Sequence, residues 1–162
     1  MNYIKIQNDI LKAKDKMNIS EKRLFRYMRF PYTCGYYDNN VCIADDGNAI
    51  YLIPDKLFYL DKDKIFNSVL SISNVVEKMV KSELDTQSLI FTDTIRSLKN
   101  CKIDVAILKD DKNNEIAFDI KYLKNIGLKA NECTFKGTNY KSPIYVYEYD
   151  KLVAIIMPVN LG

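Results

Sequence analysis

The chain has 162 residues and contains no histidine, no tryptophan, only five glycines and only four prolines. Without histidine it lacks the usual general base, the side chain that titrates near neutral pH, and the commonest metal ligand. No serine or cysteine can be matched with an imidazole to make an activated nucleophile. No stretch carries the glycine-rich, Lys-Ser/Thr pattern of a phosphate-binding loop. Two carboxylate pairs, Asp45-Asp46 and Asp110-Asp111, sit among turn-forming residues. Neighbouring turn residues do not converge on one point, as metal-dependent nuclease chemistry requires. The sequence therefore argues against an enzyme and calls for no cofactor and no metal. Cys34, Cys42, Cys101 and Cys133 show no C-x-x-C spacing, so a four-thiolate zinc site has no motif behind it and buried thiols are expected. No apolar run approaches membrane-spanning length, and the opening Met1-Asn2-Tyr3-Ile4-Lys5-Ile6 does not read as a signal peptide. An intracellular, cytoplasmic and reduced protein is expected.

What the chain does have is an ordinary globular composition, 48% apolar and 28% charged, in a length that suits one domain. The net charge of +3 says little about partners, but its distribution says more. Arg23, Arg26 and Arg29 cluster beside Lys22 and interleave with Phe25, Tyr27 and Phe30. Guanidinium groups grip phosphates and aromatic rings stack on bases, which makes Arg23 and Arg26 candidate DNA contacts. The same stretch also reads as core apolar residues flanked by cations, or as an interface with an acidic protein.

Self-similarity is the main organising signal. Tyr3–Lys12 and Glu115–Lys124 share one grammar, an alternating strand that turns at an Asn or Asp into a helix. In the first copy Ile4 and Ile6 fall on one side of the predicted strand, and Asn8 is the expected helix cap. In the second, Asp119 caps a helix running to Ile126, and Gly127 stops it. Ser20 is expected to cap a further short helix ended by Pro31. Strands are expected at Tyr36-Tyr37, Val41–Ala44, Ile50–Ile53, Lys102–Leu108, Thr134–Lys136, Ile144–Tyr149 and Leu152–Met157. Residues 55–100 read as helical, with Val75, Val76, Met79 and Val80 at helical spacing and Ile90, Phe91, Ile95 and Leu98 likewise. The expected fold is an α+β domain over 1–162: a first strand-helix-strands repeat at 1–54, a helical insertion at 55–100, and a second repeat at 101–162.

Four segments, in order, carry a family likeness. They are Cys42-Ile43-Ala44-Asp45-Asp46-Gly47, the strand-to-helix run Ile116–Ile126, the strand start Ser142-Pro143-Ile144-Tyr145, and Ile155-Ile156-Met157-Pro158-Val159-Asn160-Leu161. Together they resemble the bacterial DNA polymerase III β sliding clamp, above all its third domain, and the short clamp-like proteins of phages and mobile elements. Residues 55–100 exceed what that family needs. Asn160 stands where the family's last motif has arginine, and Asn48-Ala49 replaces a basic pair.

The resemblance implies a sliding-clamp-like fold and a non-enzymatic role in DNA replication or repair, tethering partners on duplex DNA. It implies that Lys12 and Lys16 on the first helix, and Lys121 and Lys124 on the second, face the phosphate backbone. Long-stemmed cations on rigid helices attract phosphates without reading sequence, as sliding requires. The same lysines also read as the solvated faces of amphipathic helices. The resemblance further implies that Met157, Pro158, Val159 and Leu161 help form a groove for linear peptides of polymerases or repair proteins, although they also read as a strand finishing the sheet. A full clamp ring has six such domains, so this chain would close one only as a homo-oligomer. The alternative is a phage or mobile-element decoy that uses a clamp-like fold to occupy a host nucleic-acid-processing protein.

Overall fold

In a computed structural model the described residues are 1–24, 30–66 and 72–162, with no side chain described at 19–24. The architecture is α+β. Among the described residues nine antiparallel strands form one sheet in the order β1-β2-β3-β9-β8-β7-β4-β5-β6. In chain order these are β1 (Tyr32–Tyr37), β2 (Asn40–Asp45), β3 (Ala49–Pro54), β4 (Gln87–Leu98), β5 (Ile103–Lys109), β6 (Glu115–Asp119), β7 (Thr134–Gly137), β8 (Ile144–Glu148) and β9 (Lys151–Ile156). Among the described residues four α-helices accompany them: α1 (Tyr3–Leu24), α2 (Lys62–Ile65), α3 (Ser73–Ser82) and α4 (Lys121–Asn125).

Connectivity repeats, though not in the expected form. A helix followed by a three-strand meander occurs twice, as α1-β1-β2-β3 and as α4-β7-β8-β9. The last strands of the two meanders meet at the middle of the sheet, where Ala49, Ile50 and Tyr51 pair with Ile156, Ile155 and Ala154.

The expected strand at Tyr3–Gln7 is instead the start of α1. Ile6, Gln7 and Ile10 are fully buried, whereas Ile4 is 64% exposed, which is the spacing of a helix face. The cap is Asn2, whose Oδ1 accepts the Lys5 N–H at 2.9 Å, and not Asn8. Ser20, expected to start a further short helix, lies inside the same helix. Gln7 is buried without penalty because its amide nitrogen donates to the carbonyls of Tyr3 and Leu57, while its oxygen accepts the Tyr59 N–H.

The segment 55–100 is only partly helical. Two 3-10 turns, α2 and α3 occupy its described residues up to Asp85, but Gln87–Leu98 is a strand. Phe91 pairs with Leu108 and Ile95 with Ala106, so Thr92-Asp93-Thr94 bulges opposite Ile107 alone. That bulge gives the apolar residues their helix-like spacing. Residues 87–89 of β4 pair with β7, and beyond them β4 pairs only with β5.

The main core lies on the sheet face that carries α1 and α4, and it unites Ile6, Ile10, Tyr51, Phe118, Leu123, Ile126, Phe135 and Ile156. On the opposite face α3 covers Cys42, Ala44, Ile50, Leu52, Tyr145 and Ile155 with Val76, Met79 and Val80. Gly35 of β1 allows α3 to approach, since a Cβ there would lie 2.8 Å from Ile72 Cγ1 and from the Ser73 nitrogen. The Ser73 hydroxyl accepts the Tyr36 N–H on the outer side of β1. Glu83, just beyond α3, accepts from Tyr147 and from Lys136 and ties the helix end to β7 and β8.

Candidate functional site

The two lysine-bearing helices lie on one sheet face and meet end to end. The start of α1 docks on the end of α4: the Asn2 N–H donates to the Ile126 carbonyl at 2.7 Å, and Lys5 Nζ donates to the Asn125 carbonyl at 3.2 Å. Gly127, at φ +69°, ends α4, and a Cβ there would collide with Asn2. At the other end of α4, Asp119 Oδ1 accepts the Lys121 N–H at 2.9 Å.

Lys12, Lys16, Lys121 and Lys124 are all exposed. Among the described residues Lys12, Lys16 and Lys124 have no ion-pair partner, while Lys121 lies 3.6 Å from Asp119 and over the Tyr122 ring. Partial burial acts to lower the Lys121 pKa, but Tyr122 and Asp119 outweigh it and hold the ammonium above its ordinary value. Lys5 is paired with Asp9 at 2.9 Å. The exposed side of α1 is not uniformly cationic, because Ile4, Leu11 and Asp15 share it. Of the two candidate arginines, Arg23 stands in the last turn of α1 with its side chain outside the described residues, and Arg26 lies outside them altogether.

Behind this face is a buried polar joint that the sequence did not announce. Asp45, at the end of β2, accepts a 2.9 Å hydrogen bond from the Tyr51 hydroxyl and a 3.1 Å bond from Asn125 Nδ2. It fastens the end of α4 to the β2–β3 turn. Burial raises the Asp45 pKa, against the lowering effect of Tyr51, Asn125 and Lys121. Burial, with Asp45 and Asp9 nearby, also pushes Tyr32 up to about 12. Asp46 and Gly47 make the turn itself, both at positive φ. Asp110, by contrast, serves its own turn, accepting from the backbone of Lys112 and Asn114 and from Asn114 Nδ2. Only Tyr51, six residues beyond Asp45 and diagonal to it across the β2–β3 pair, could have flagged the difference between the two carboxylates.

The third surface is the segment 157–162. The Met157 N–H donates to the Asn48 carbonyl at 2.8 Å, and the Val159 N–H donates to the Ala117 carbonyl at 2.7 Å, an isolated antiparallel bridge to the outer strand β6. Val159 and Leu161 pack against the buried cluster of Val105, Ile107 and Ala117. Met157, Pro158, Val159 and Leu161 are all half-buried. Beside them lies a cleft of about 440 Å³ lined by Glu115, Tyr140 and residues 159–162. Glu115 and Tyr140 also border a second cleft of about 700 Å³ with Asp110 and Asp111. All four segments that carry the sequence resemblance thus adjoin: the β2–β3 turn, the β6–α4 run, this tail, and the start of β8, where Ile144 and Tyr145 pair with Ile156 and Ile155.

Among the described residues no three of His, Cys, Asp or Glu gather as a metal site needs. Cys34 and Cys42 are buried thiols pushed up to about 11 and 12, chiefly by burial. No described helix is long and apolar enough to cross a membrane. Compared with known proteins, the chain matches no family model, no curated sequence and no solved structure.

Proposed function

We propose that the chain is a non-enzymatic tethering module of sliding-clamp type, acting on duplex DNA in replication or repair. The observation that carries this reading is the shared placement of α1 and α4. Two helices that begin equivalent helix-plus-meander units lie on one sheet face and turn Lys12, Lys16, Lys121 and Lys124 to solvent. Such a surface contacts phosphates without reading bases, so it grips a duplex of any sequence. Replacing all four lysines with glutamate should abolish binding to a labelled duplex, measured by fluorescence anisotropy. Undiminished binding by a folded variant would remove α1 and α4 as the contact surface.

One observation favours the alternative of a decoy that occupies a host protein. Both outer strands of the sheet are partly covered, β1 by Ser73 and β6 by the tail, and edges covered this way suit a chain that works outside a closed ring. Light scattering after size exclusion separates the two readings. A six-chain mass supports the ring, and a mass of one or two chains with no duplex affinity supports the decoy.

A further inference from the structure

Asn125 closes α4 and is held from two directions. Its side-chain amide donates to Asp45 Oδ2 at 3.1 Å and lies 3.5 Å from the Tyr51 hydroxyl, which ties α4 to β2 and β3. Its main-chain carbonyl accepts Lys5 Nζ at 3.2 Å, which ties α4 to α1. The next carbonyl, that of Ile126, accepts the Asn2 N–H. Lys5 is bound in turn to Asp9, one turn further along α1. A continuous polar chain therefore runs from Tyr51 through Asp45, Asn125 and Lys5 to Asp9, and it crosses between the sheet and both lysine-bearing helices. A helix of five residues is too short to hold its place by its own hydrogen bonds. Tyr122 and Leu123 anchor its buried side, and Asn125 fastens the end that receives α1.

We infer that Asn125 is a positioning residue of the lysine face, fixing Lys121 and Lys124 on α4 relative to Lys12 and Lys16 on α1. It touches no phosphate itself and acts through the two helices it joins. The phosphates of a duplex are regularly spaced, so cations that meet several of them together gain from a separation set in advance. The effect on DNA rests on the tethering reading, whereas the placement of the helices does not.

The test uses the full chain, a labelled duplex and three variants whose folding is checked by circular dichroism. Asn125→Leu removes the donor, and Asn125→Asp sets a second carboxylate against Asp45. Both keep all four lysines, yet both should weaken duplex binding several-fold and cut the salt slope to about half, because the two helices no longer engage together. Asp45→Asn combined with Asn125→Asp lets donor and acceptor trade places, and it should bring affinity and slope back towards the parent. The exchanged chain and the single Asn125→Asp variant carry the same carboxylate at position 125, so a difference between them reads the joint and not the surface charge. Folded single variants that bind like the parent, or an exchange that restores nothing, overturn the role. Single variants that fail to fold while the exchanged chain folds show a structural tie only, and overturn it too. If the parent itself has no affinity for the duplex, the tethering reading fails and hydrogen exchange decides the placement. The Asn2 amide, bonded to Ile126, should then exchange several-fold faster in the single variants and slow again in the exchanged chain. Unchanged exchange at Asn2 in the single variants overturns the role whatever the DNA result.

Discussion

Burial of Asp45 beneath Tyr51 and Asn125 favours its protonated form. A carboxyl whose pKa is higher folded than unfolded stabilises the fold most below its unfolded pKa, and that contribution is lost as pH rises through the folded value. Asp45→Asn keeps an oxygen for both donors and removes the charge. Its unfolding midpoint at pH 7 should therefore be at least that of the parent, with a flatter profile on acidification, measured by denaturant titration between pH 4 and 8. Tyr51→Phe should instead cost about 1–3 kcal/mol, because it deprives a buried carboxylate of a donor. Glu83 has the opposite sign. The Tyr147 hydroxyl, helped by Lys136, holds its carboxyl below the usual range against the raising effect of burial. Its contribution is present above the unfolded pKa and disappears as pH falls through the folded one. Glu83→Gln should be less stable than the parent at pH 7 and lose less on acidification. Neither behaviour was legible in the sequence, where Asp45 looks like Asp110 and Glu83 is one acid among many.

At the scale of elements, short strands bounded by turn residues were readable, and long elements misled. Five residues of alternation at Tyr3–Gln7 fit a strand and a helix equally well. The deciding fact is tertiary: Gln7 is buried because Leu57 and Tyr59 offer it backbone partners some fifty positions away. A strand would bury Ile4 and Ile6 together, whereas the helix separates them. Ile6→Ala should then cost about 2–5 kcal/mol and Ile4→Ala less than about 0.5 kcal/mol in denaturant unfolding. Equal losses would restore the strand. In β4 the bulge at Thr92–Thr94 shifts the apolar residues out of period 2, and nothing local marks it except Asp93 at φ +57°. The contact of α3 with β1 makes a similarly sharp expectation. Gly35→Ala drives a methyl into Ile72 and Ser73 and should cost about 1–3 kcal/mol, read by the same unfolding titration.

Over the whole molecule, the lysine face and the tail are separable surfaces, since α1 and α4 lie on the core side of the sheet and Val159 and Leu161 on the other. If the four lysines each neutralise one phosphate, the logarithm of duplex affinity should fall against the logarithm of salt with a slope of roughly −3 to −4. Truncating one lysine to alanine should reduce that slope by about one, and a slope near zero would exclude backbone contact. The sequence read the Ile116–Ile126 run as a strand leading into a helix, as β6 and α4 are, yet it placed a strand at Tyr3–Gln7 where α1 begins. What binds the halves is a pairing between residues far apart in the chain, which no local window can display.

That pairing has a consequence for how the protein is made. The central ladder joins only three residues on each side, and β3 waits for a partner that emerges from the ribosome about a hundred residues later. Until then the nascent N-terminal third exposes a buried-type strand, Ala-Ile-Tyr-Leu-Ile, along an open edge. Completion of the sheet therefore waits for β9. Slowed translation of the final strands should lengthen the interval in which the chain depends on chaperones to stay out of aggregates.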